Sequence, residues 1–490
     1  MSDFTPVMQQ YLDIKREHGD AILFFRMGDF YEMFFEDAKT AARELGLTLT
    51  SRDRNKKDPV PMAGVPYHAV NGYLTKLLRA GYKVAICEQT ELPGKTKGPV
   101  KREVIRTVTP GTVMGEESLD ARSNNFLAAV SLDGGAAGIA MADLSTGEFL
   151  AGEIPESRPW LDEIERIAPS EIIVSENEPE EVERDIVSRL PSVMITRRDG
   201  WTFDPDYAGD RIKDHFKVGG LRGFGIDDSP PAVGAAGATL AYLADTQKAA
   251  LDHITSVRRY RPGTTMFLDA RTRRNLELTS AISEDGSSKG TLFAVIDGSA
   301  TPMGARLMKT WISAPLLDPE EINTRLDGVA ELVGRPEMRR EIERILRSVH
   351  DVERLIGRAC LDRANPRDLL SLAESLEGSY SLREVLAGAG TPILASCAGD
   401  ITDLRDLASA ISDALVENPP VSVNEGGIFR DGYLKDLDEL RNISRSGRKW
   451  IADYQADERQ RTGISNLKVG YNNVFGYYIE ISKGNIDRVP

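Results

Sequence analysis

Ala21-Ile22-Leu23-Phe24-Phe25-Arg26-Met27-Gly28-Asp29-Phe30-Tyr31-Glu32-Met33-Phe34-Phe35 holds two apolar, aromatic runs on either side of a Gly-Asp pair. Short apolar runs bounded by a turn pair read as a strand, a tight break and a second extended segment. Asp37 to Leu45 then carries a helical pattern, and Gly46 is its stop. Ser51 to Asp58 is a basic loop, a helix with Leu74, Leu77 and Leu78 follows, and Tyr82 to Cys87 is a further strand. Strands mixed with helices in this way make residues 1–113 an α/β domain.

A second α/β domain is expected over residues 120–250. Phe126–Ser131, Ala137–Asp143 and Gly147–Ala151 are short strands around the turn signals Asp133-Gly134-Gly135 and Ser145-Thr146-Gly147, a β-meander pattern. A helix over Leu161–Ile167, a strand over Glu171–Val174 and a helix holding Leu240, Leu243 and Ala244 come next. Residues 262–440 read as helical. Leu307, Met308, Trp311 and Ile312 share one face, as do Val349, Val352, Ile356 and Ala359, and prolines punctuate the helices. Asp436 to Arg461 is a highly charged helix, and Leu467–Tyr471 and Phe475–Ile481 flank Asn472-Asn473 as a hairpin within residues 441–490. The fold class is therefore multidomain α/β plus mainly α, closing on a β-hairpin. A long charged helix calls for a returning partner helix, and none follows before Pro490, so the chain reads as an N-terminal piece of a longer protein.

The chain has 490 residues, 41% hydrophobic and 28% charged, which fits a soluble globular chain of about three domains. Cys87, Cys360 and Cys397 are odd in number and widely spaced, which speaks against a disulfide framework or a zinc site and for a reducing, cytosolic setting. Charge interrupts every apolar run before the roughly 18 residues a membrane span needs, and Met1-Ser2-Asp3-Phe4 lacks a signal-peptide pattern. The net charge of −15 is unevenly spread. Residues 1–113 hold 17 Lys+Arg against 14 Asp+Glu, residues 441–490 hold 9 against 5, and the middle carries −22. Basic ends around an acidic body can confine a polyanion to the ends, and plain surface charge accounts for the pattern equally well.

Phe30 and Glu32 are two apart, so in an extended segment they point the same way. Two readings stand. Phe30 is a core residue and Glu32 incidental, or an apolar wedge beside a carboxylate enters a duplex from the minor groove at a weakened base step. Gly94-Lys95-Thr96 mimics the end of a phosphate-binding loop, but Gln89 stands where the motif requires glycine. Asp143 and Glu148 suggest a two-metal nuclease site, yet no further acids are singled out as partners. His68 is read as structural, and the sequence shows no catalytic constellation.

Further segments follow in order: Pro61–His68, Val84–Gln89, Thr109–Thr112, Arg273–Leu278, Thr301–Leu307, Asp351–Leu355, Ala364–Leu369, Leu467–Asn472 and Gly476–Ile479. Together with Arg26–Ala38 they resemble, along the whole chain, the MutS family of DNA mismatch-recognition proteins. The resemblance implies a mismatch-reading domain (1–113), a ribonuclease-H-like connector (120–250), a helical lever (262–440) and an incomplete clamp (441–490). It implies that Phe30 stacks on a mispaired base and Glu32 hydrogen-bonds it. Arg52 and Met62 match positions near DNA, and Lys468, Asn472 and Lys483 are the clamp's candidates for phosphate contacts. The complete protein would be a cytoplasmic homodimer that binds mismatched double-stranded DNA and hands over to downstream repair factors. It would use ATP and Mg in a cassette beyond Pro490. No cofactor is expected within this chain, and no ATP hydrolysis by it alone. The alternatives at this point are a nuclease acting through the connector and a purely structural fragment.

Overall fold

The computed structural model describes residues 4–52, 59–91, 99–115, 117–282, 289–472 and 476–489. Thr5 and Pro6 open helix α1 (Pro6–Glu17): the Thr5 hydroxyl accepts from the Met8 amide, and proline tolerates the first turn because its missing N–H would be unpaired there anyway. Gly28 and Asp29 turn β1 (Ala21–Met27) back into β2 (Phe30–Phe34), antiparallel, with Phe25 opposite Glu32 and Met27 opposite Phe30. α2 (Phe35–Leu45) ends at Gly46, whose φ of +68° suits glycine. β3 (Thr50–Arg52), β4 (Val60–Pro66), α3 (Val70–Arg79), β5 (Lys83–Gln89) and β6 (Arg102–Val108) complete the domain. The tract expected as a basic loop thus begins as a strand at Ser51 and Arg52, and its residues 53–58 lie outside the described residues.

The six strands lie in the order β3-β4-β2-β1-β5-β6, with only β1 and β5 parallel. Strand alternation divides the core in two. Ile22, Phe24, Tyr31 and Met33 pack with residues of α2 and α3, while Leu23, Phe25 and Phe34 pack with Met8 and Tyr11 of α1.

In the second domain β7 (Leu127–Asp133), β8 (Ala136–Asp143) and β9 (Glu148–Ile154) form the expected meander. α4 (Trp160–Ile167) leads into β10 (Glu171–Ser175), and α5 (Glu180–Arg189) into β11 (Met194–Arg198). β10 is parallel to β7 and β11 to β10, giving the order β11-β10-β7-β8-β9, with β12 (Arg258–Arg259) added beside β9. α6 (Pro205–Phe216) and α7 (Pro230–Gln247) follow, and α7, rich in Ala and Gly, is buried along most of its length.

One buried carboxylate joins the first two domains. Glu171 is fully enclosed and accepts from the Thr109 hydroxyl, the Gly111 amide (3.2 Å), the Thr196 hydroxyl (2.7 Å) and the Tyr242 hydroxyl (2.6 Å). Four donors satisfy a charge that would otherwise be costly to bury.

The helical region runs through α8 (Ala270–Asn275), α9 (Leu292–Ile296), α10 (Pro302–Ser313), α11 (Pro319–Gly334), α12 (Pro336–Leu346), α13 (Val352–Cys360), α14 (Pro366–Leu386), α15 (Pro392–Asp400) and α16 (Arg405–Ala414). Here the apolar faces read from the sequence are buried only in part: Val349 is buried, and Met308, Ile312, Val352 and Ala359 are half-buried. Leu307 and Trp311 are exposed while Ala305 and Arg306 are buried; Ile356 is exposed while Arg354, Leu355, Gly357 and Arg358 are buried. The reason is electrostatic. Arg306 forks onto Asp351 (2.7 and 2.8 Å), reaches Glu353 (2.6 Å) and donates to the Ala121 carbonyl (2.9 Å). Arg354 donates to the carbonyls of Asp120 (3.1 Å) and Ser123 (2.8 Å). Guanidinium groups with partners can be buried where unpartnered ones cannot. Gly357 lets α13 approach the Ser145 carbonyl, which a side chain's Cβ would meet at 2.6 Å.

The chain divides into two compact units, Met1–Ala408 and Ser409–Pro490. In the second, α17 (Lys435–Thr462) is the expected charged helix, and its Leu440, Ile443 and Trp450 are exposed. β13 (Lys468–Asn472) and β14 (Gly476–Glu480) pair antiparallel, Lys468 opposite Glu480 and Asn472 opposite Gly476. Asn473 and Phe475 of the expected hairpin lie outside the described residues.

Candidate nucleic-acid interface

The burial of β2 runs exposed, buried, intermediate, buried, buried. Phe30, its first residue, is 46% exposed, although Phe34 on the same face is sealed beneath Tyr11 with the rings 4.9 Å apart. The reading of Phe30 as a core residue is therefore overturned. α1 covers the sheet at Phe25 and Phe34 and leaves Phe30 uncovered. Gly64 of β4 stands opposite Glu32, and a Cβ there would lie 3.7 Å from the Phe30 ring and 3.8 Å from Glu32 Cγ. Both side chains thus flank the same glycine, and the ring and the carboxylate are neighbours in space.

Glu32 is half-buried. Burial raises its carboxyl above the usual carboxylate range, against the opposing pull of Arg52 and Arg102. The Arg52 guanidinium lies 3.8 Å from the Glu32 carboxylate and 5.8 Å from the Phe34 ring centre. Met62 pairs with Phe34 and Thr50, on the same sheet face, and its carbonyl accepts from the Thr50 hydroxyl at 3.0 Å. Phe30, Glu32, Arg52 and Met62 therefore form one group. On the other face, Arg26 stacks 3.9 Å over the ring of Tyr67, and the Tyr31 hydroxyl donates to Glu88.

Lys468, Asn472 and Lys483 belong to the second unit. Lys468 and Lys483 are exposed near the open end of the hairpin, where Asn466 donates to Ser482 at 2.7 Å; Asn472 stands at the opposite end of the strand. Tyr471 and Tyr477 face each other across the strands, exposed, 5.0 Å apart.

Arg102 was not singled out from the sequence. It lies seventy positions from Glu32, and β6 brings it onto the same sheet face, beside Phe25. Burial alternates along Arg102-Glu103-Val104-Ile105, but the residue types do not, so no signal in the sequence marks this arginine as inward-facing.

The other candidates resolve differently. Asp143 is fully buried, and its carboxylate accepts from the Asn125 amide (2.9 Å), the Ser145 amide (2.9 Å), the Ser145 hydroxyl (2.6 Å) and the Asn124 amide group (3.3 Å). That set is a turn clasp. Among the described residues no three His, Cys, Asp or Glu side chains gather as a metal site. Gly94-Lys95-Thr96 lies outside the described residues. His68, read as structural, is exposed with its ring 5.8 Å from Tyr67. No helix among the described residues is long and apolar enough to cross a membrane.

A sheet that exposes an aromatic ring beside a carboxylate, joined to a second α/β domain and a helical region, defines a multidomain α/β and helical protein. Models of MutS domain I, domain II and domain III match residues 5–117, 125–255 and 271–475. The chain is 45% identical over 490 residues to the DNA mismatch repair protein MutS of Symbiobacterium thermophilum, covering 99% of the chain and 56% of that protein. It is 45% identical to the protein of that name from Halothermothrix orenii and 44% to that of Myxococcus xanthus, covering 100% of the chain and 55% of each relative. The chain belongs to the MutS family, and it spans about 55% of the length of the curated relatives it matches.

Proposed function

We propose that this chain reads mispaired or unpaired bases in duplex DNA, the recognition step of DNA mismatch repair. The observation that carries the reading is the exposed Phe30 ring beside Glu32, at the one end of β2 that α1 does not cover. An aromatic ring inserted at a base step must unstack it, and this costs least where pairing is already defective. Selection then follows from deformability, without a sequence code. Glu32 adds the second half. Its negative charge opposes a matched duplex, whose phosphates repel it, while a mispaired base offers the carboxyl, whose pKa burial raises, a hydrogen-bond partner.

Arg52 and Met62 are assigned to the DNA beside the wedge, and Lys468, Asn472 and Lys483 to backbone phosphates, whose contacts position the protein without reading sequence. The second domain is assigned a ribonuclease-H-like connector fold, supported by its antiparallel meander followed by two parallel strands. Residues 262–440 serve as the lever and 441–490 as part of the clamp. On this reading the complete protein is a cytoplasmic homodimer that couples mismatch binding to ATP and Mg held outside these residues and engages downstream repair factors.

The test is equilibrium binding of matched and single-mismatch oligonucleotide duplexes. Phe30→Ala should abolish the preference for the mismatch, and Glu32→Gln should raise affinity for the matched duplex. Identical behaviour of wild type and Phe30→Ala on both duplexes refutes the reading.

A further inference from the structure

Arg102 opens β6, three places from β2 in the sheet, and is 7% exposed. Its guanidinium lies 5.0 Å from the ring centre of Phe25, the residue opposite Glu32. Nε donates to the Arg26 carbonyl (2.7 Å), and Nη1 donates to the Val100 carbonyl (2.9 Å) and to Gln10 of α1 (3.2 Å). The side chain therefore crosses β5 to reach β1, held by three acceptors, on the face of the sheet that carries Glu32. The charges acting on Glu32 are Arg52 from β3 and Arg102 from β6; β1 and β4 place Phe25, Met27, Met62 and Gly64 there, and α1 contributes the neutral Gln10.

We propose that Arg102 is a positioning residue for mismatch reading: fixed to β1 on the sheet face that carries Glu32, its charge keeps the carboxylate beside Phe30 ionised, so that a matched duplex meets a negative group. This rests on the assignment of Phe30 and Glu32 as the reading pair. The two arginines differ in kind. Arg52 is partly exposed and available to DNA, whereas Arg102 is wired into the backbone and acts on the base only through Glu32. Removing Arg102 leaves burial of Glu32 opposed by Arg52 alone, so the carboxyl should take up its proton at higher pH.

The deciding experiment is a pH titration of 13C-carboxyl-labelled glutamate in the DNA-free chain, with the Glu32 signal identified by its loss in Glu32→Gln. Arg102→Met should move the Glu32 midpoint up by about half a pH unit or more. Arg102→Lys, which keeps the charge, should restore most of it. Arg102→Gln, neutral but still able to donate to the Arg26 carbonyl, repeats the test if the methionine variant does not fold. The pH profile of matched-duplex affinity should move in the same direction, and in the Glu32→Gln background Arg102→Met should leave that profile unmoved. A midpoint unchanged by both neutral variants overturns the role of Arg102 while leaving mismatch reading intact. A wild-type chain that treats matched and mismatched duplexes alike at every pH overturns the reading itself, whatever the carboxyl does.

Discussion

Arg306→Met tests whether paired arginines join the helical region to the segment that opens the second domain. Arg306 is 4% exposed and makes four charge-assisted contacts: two to Asp351, one to Glu353 and one to the Ala121 carbonyl. Removing one partner of a buried ion pair costs about 3–5 kcal/mol, because the other charge is left without compensation. Two features lower that figure. The Glu353 side chain is 49% exposed and regains water, and Asp351 is 17% exposed and still accepts from the Arg354 amide. The expected loss is therefore about 2–3 kcal/mol, a roughly 30- to 150-fold rise in local opening. Hydrogen exchange read by mass spectrometry should show faster exchange in peptides covering 118–125 and 351–358, with little change around β1 and β2. Arg347→Met is the control, since Arg347 pairs with Glu343 across one exposed helical turn, where such a pair is worth only about 0.3–0.5 kcal/mol. Equal protection in Arg306→Met and Arg347→Met would show that Arg306 does not fasten the two regions.

Phe30→Ala and Phe34→Ala should part company in thermal unfolding. The buried Phe34 should cost about 3–5 kcal/mol and the half-exposed Phe30 little; equal losses would place Phe30 in the core after all. The sign of the Glu32 effect follows from its raised carboxyl: the neutral form persists above the ordinary carboxylate range, and charge appears as pH rises past it. Matched-duplex binding should thus weaken with rising pH through that window in wild type, while Glu32→Gln should lack this component; parallel profiles would count against the assignment. Glu331 is held down to about 2 by the Thr391 hydroxyl and the amides of Gly390 and Thr391. Its contribution is complete above the ordinary carboxylate value and is lost as pH falls toward 2, so Glu331→Gln should remove that part of the acid sensitivity around α11 and α15, as read by hydrogen exchange. Gly357→Val should push α13 off the Ser145 carbonyl and lower stability by about 1–3 kcal/mol; an unfolding midpoint equal to wild type would contradict the close approach.

The α/β parts were legible because their strands are short apolar runs between Gly and Asp turn signals, as at Ala21–Phe25 and Ala137–Asp143. β4 was not read as a strand, because Val60-Pro61-Met62-Ala63-Gly64-Val65-Pro66 has the composition of a loop and becomes a strand by pairing with β2 and β3. α1 was missed although Thr5-Pro6 is a start signal. The helical faces were misjudged where Arg306 and Arg354 fill buried positions, since hydropathy cannot show that a charge will find its partner forty-five or more residues away. Phe30 and Glu32 could be found from their spacing alone. The sequence left open whether the ring is buried, which depends on where α1 stops.

The four donors gathered on Glu171 also constrain how the molecule moves. Thr109 and Gly111 come from the last turn of the first domain, Thr196 from β11 and Tyr242 from α7. Any swing of the N-terminal sheet about this junction would strip two of those hydrogen bonds from an anion that water cannot reach. The first two domains should therefore travel as one rigid arm. If Phe30 reads a base as proposed, the flexing that lets it do so must come from elsewhere in the chain, or from the DNA.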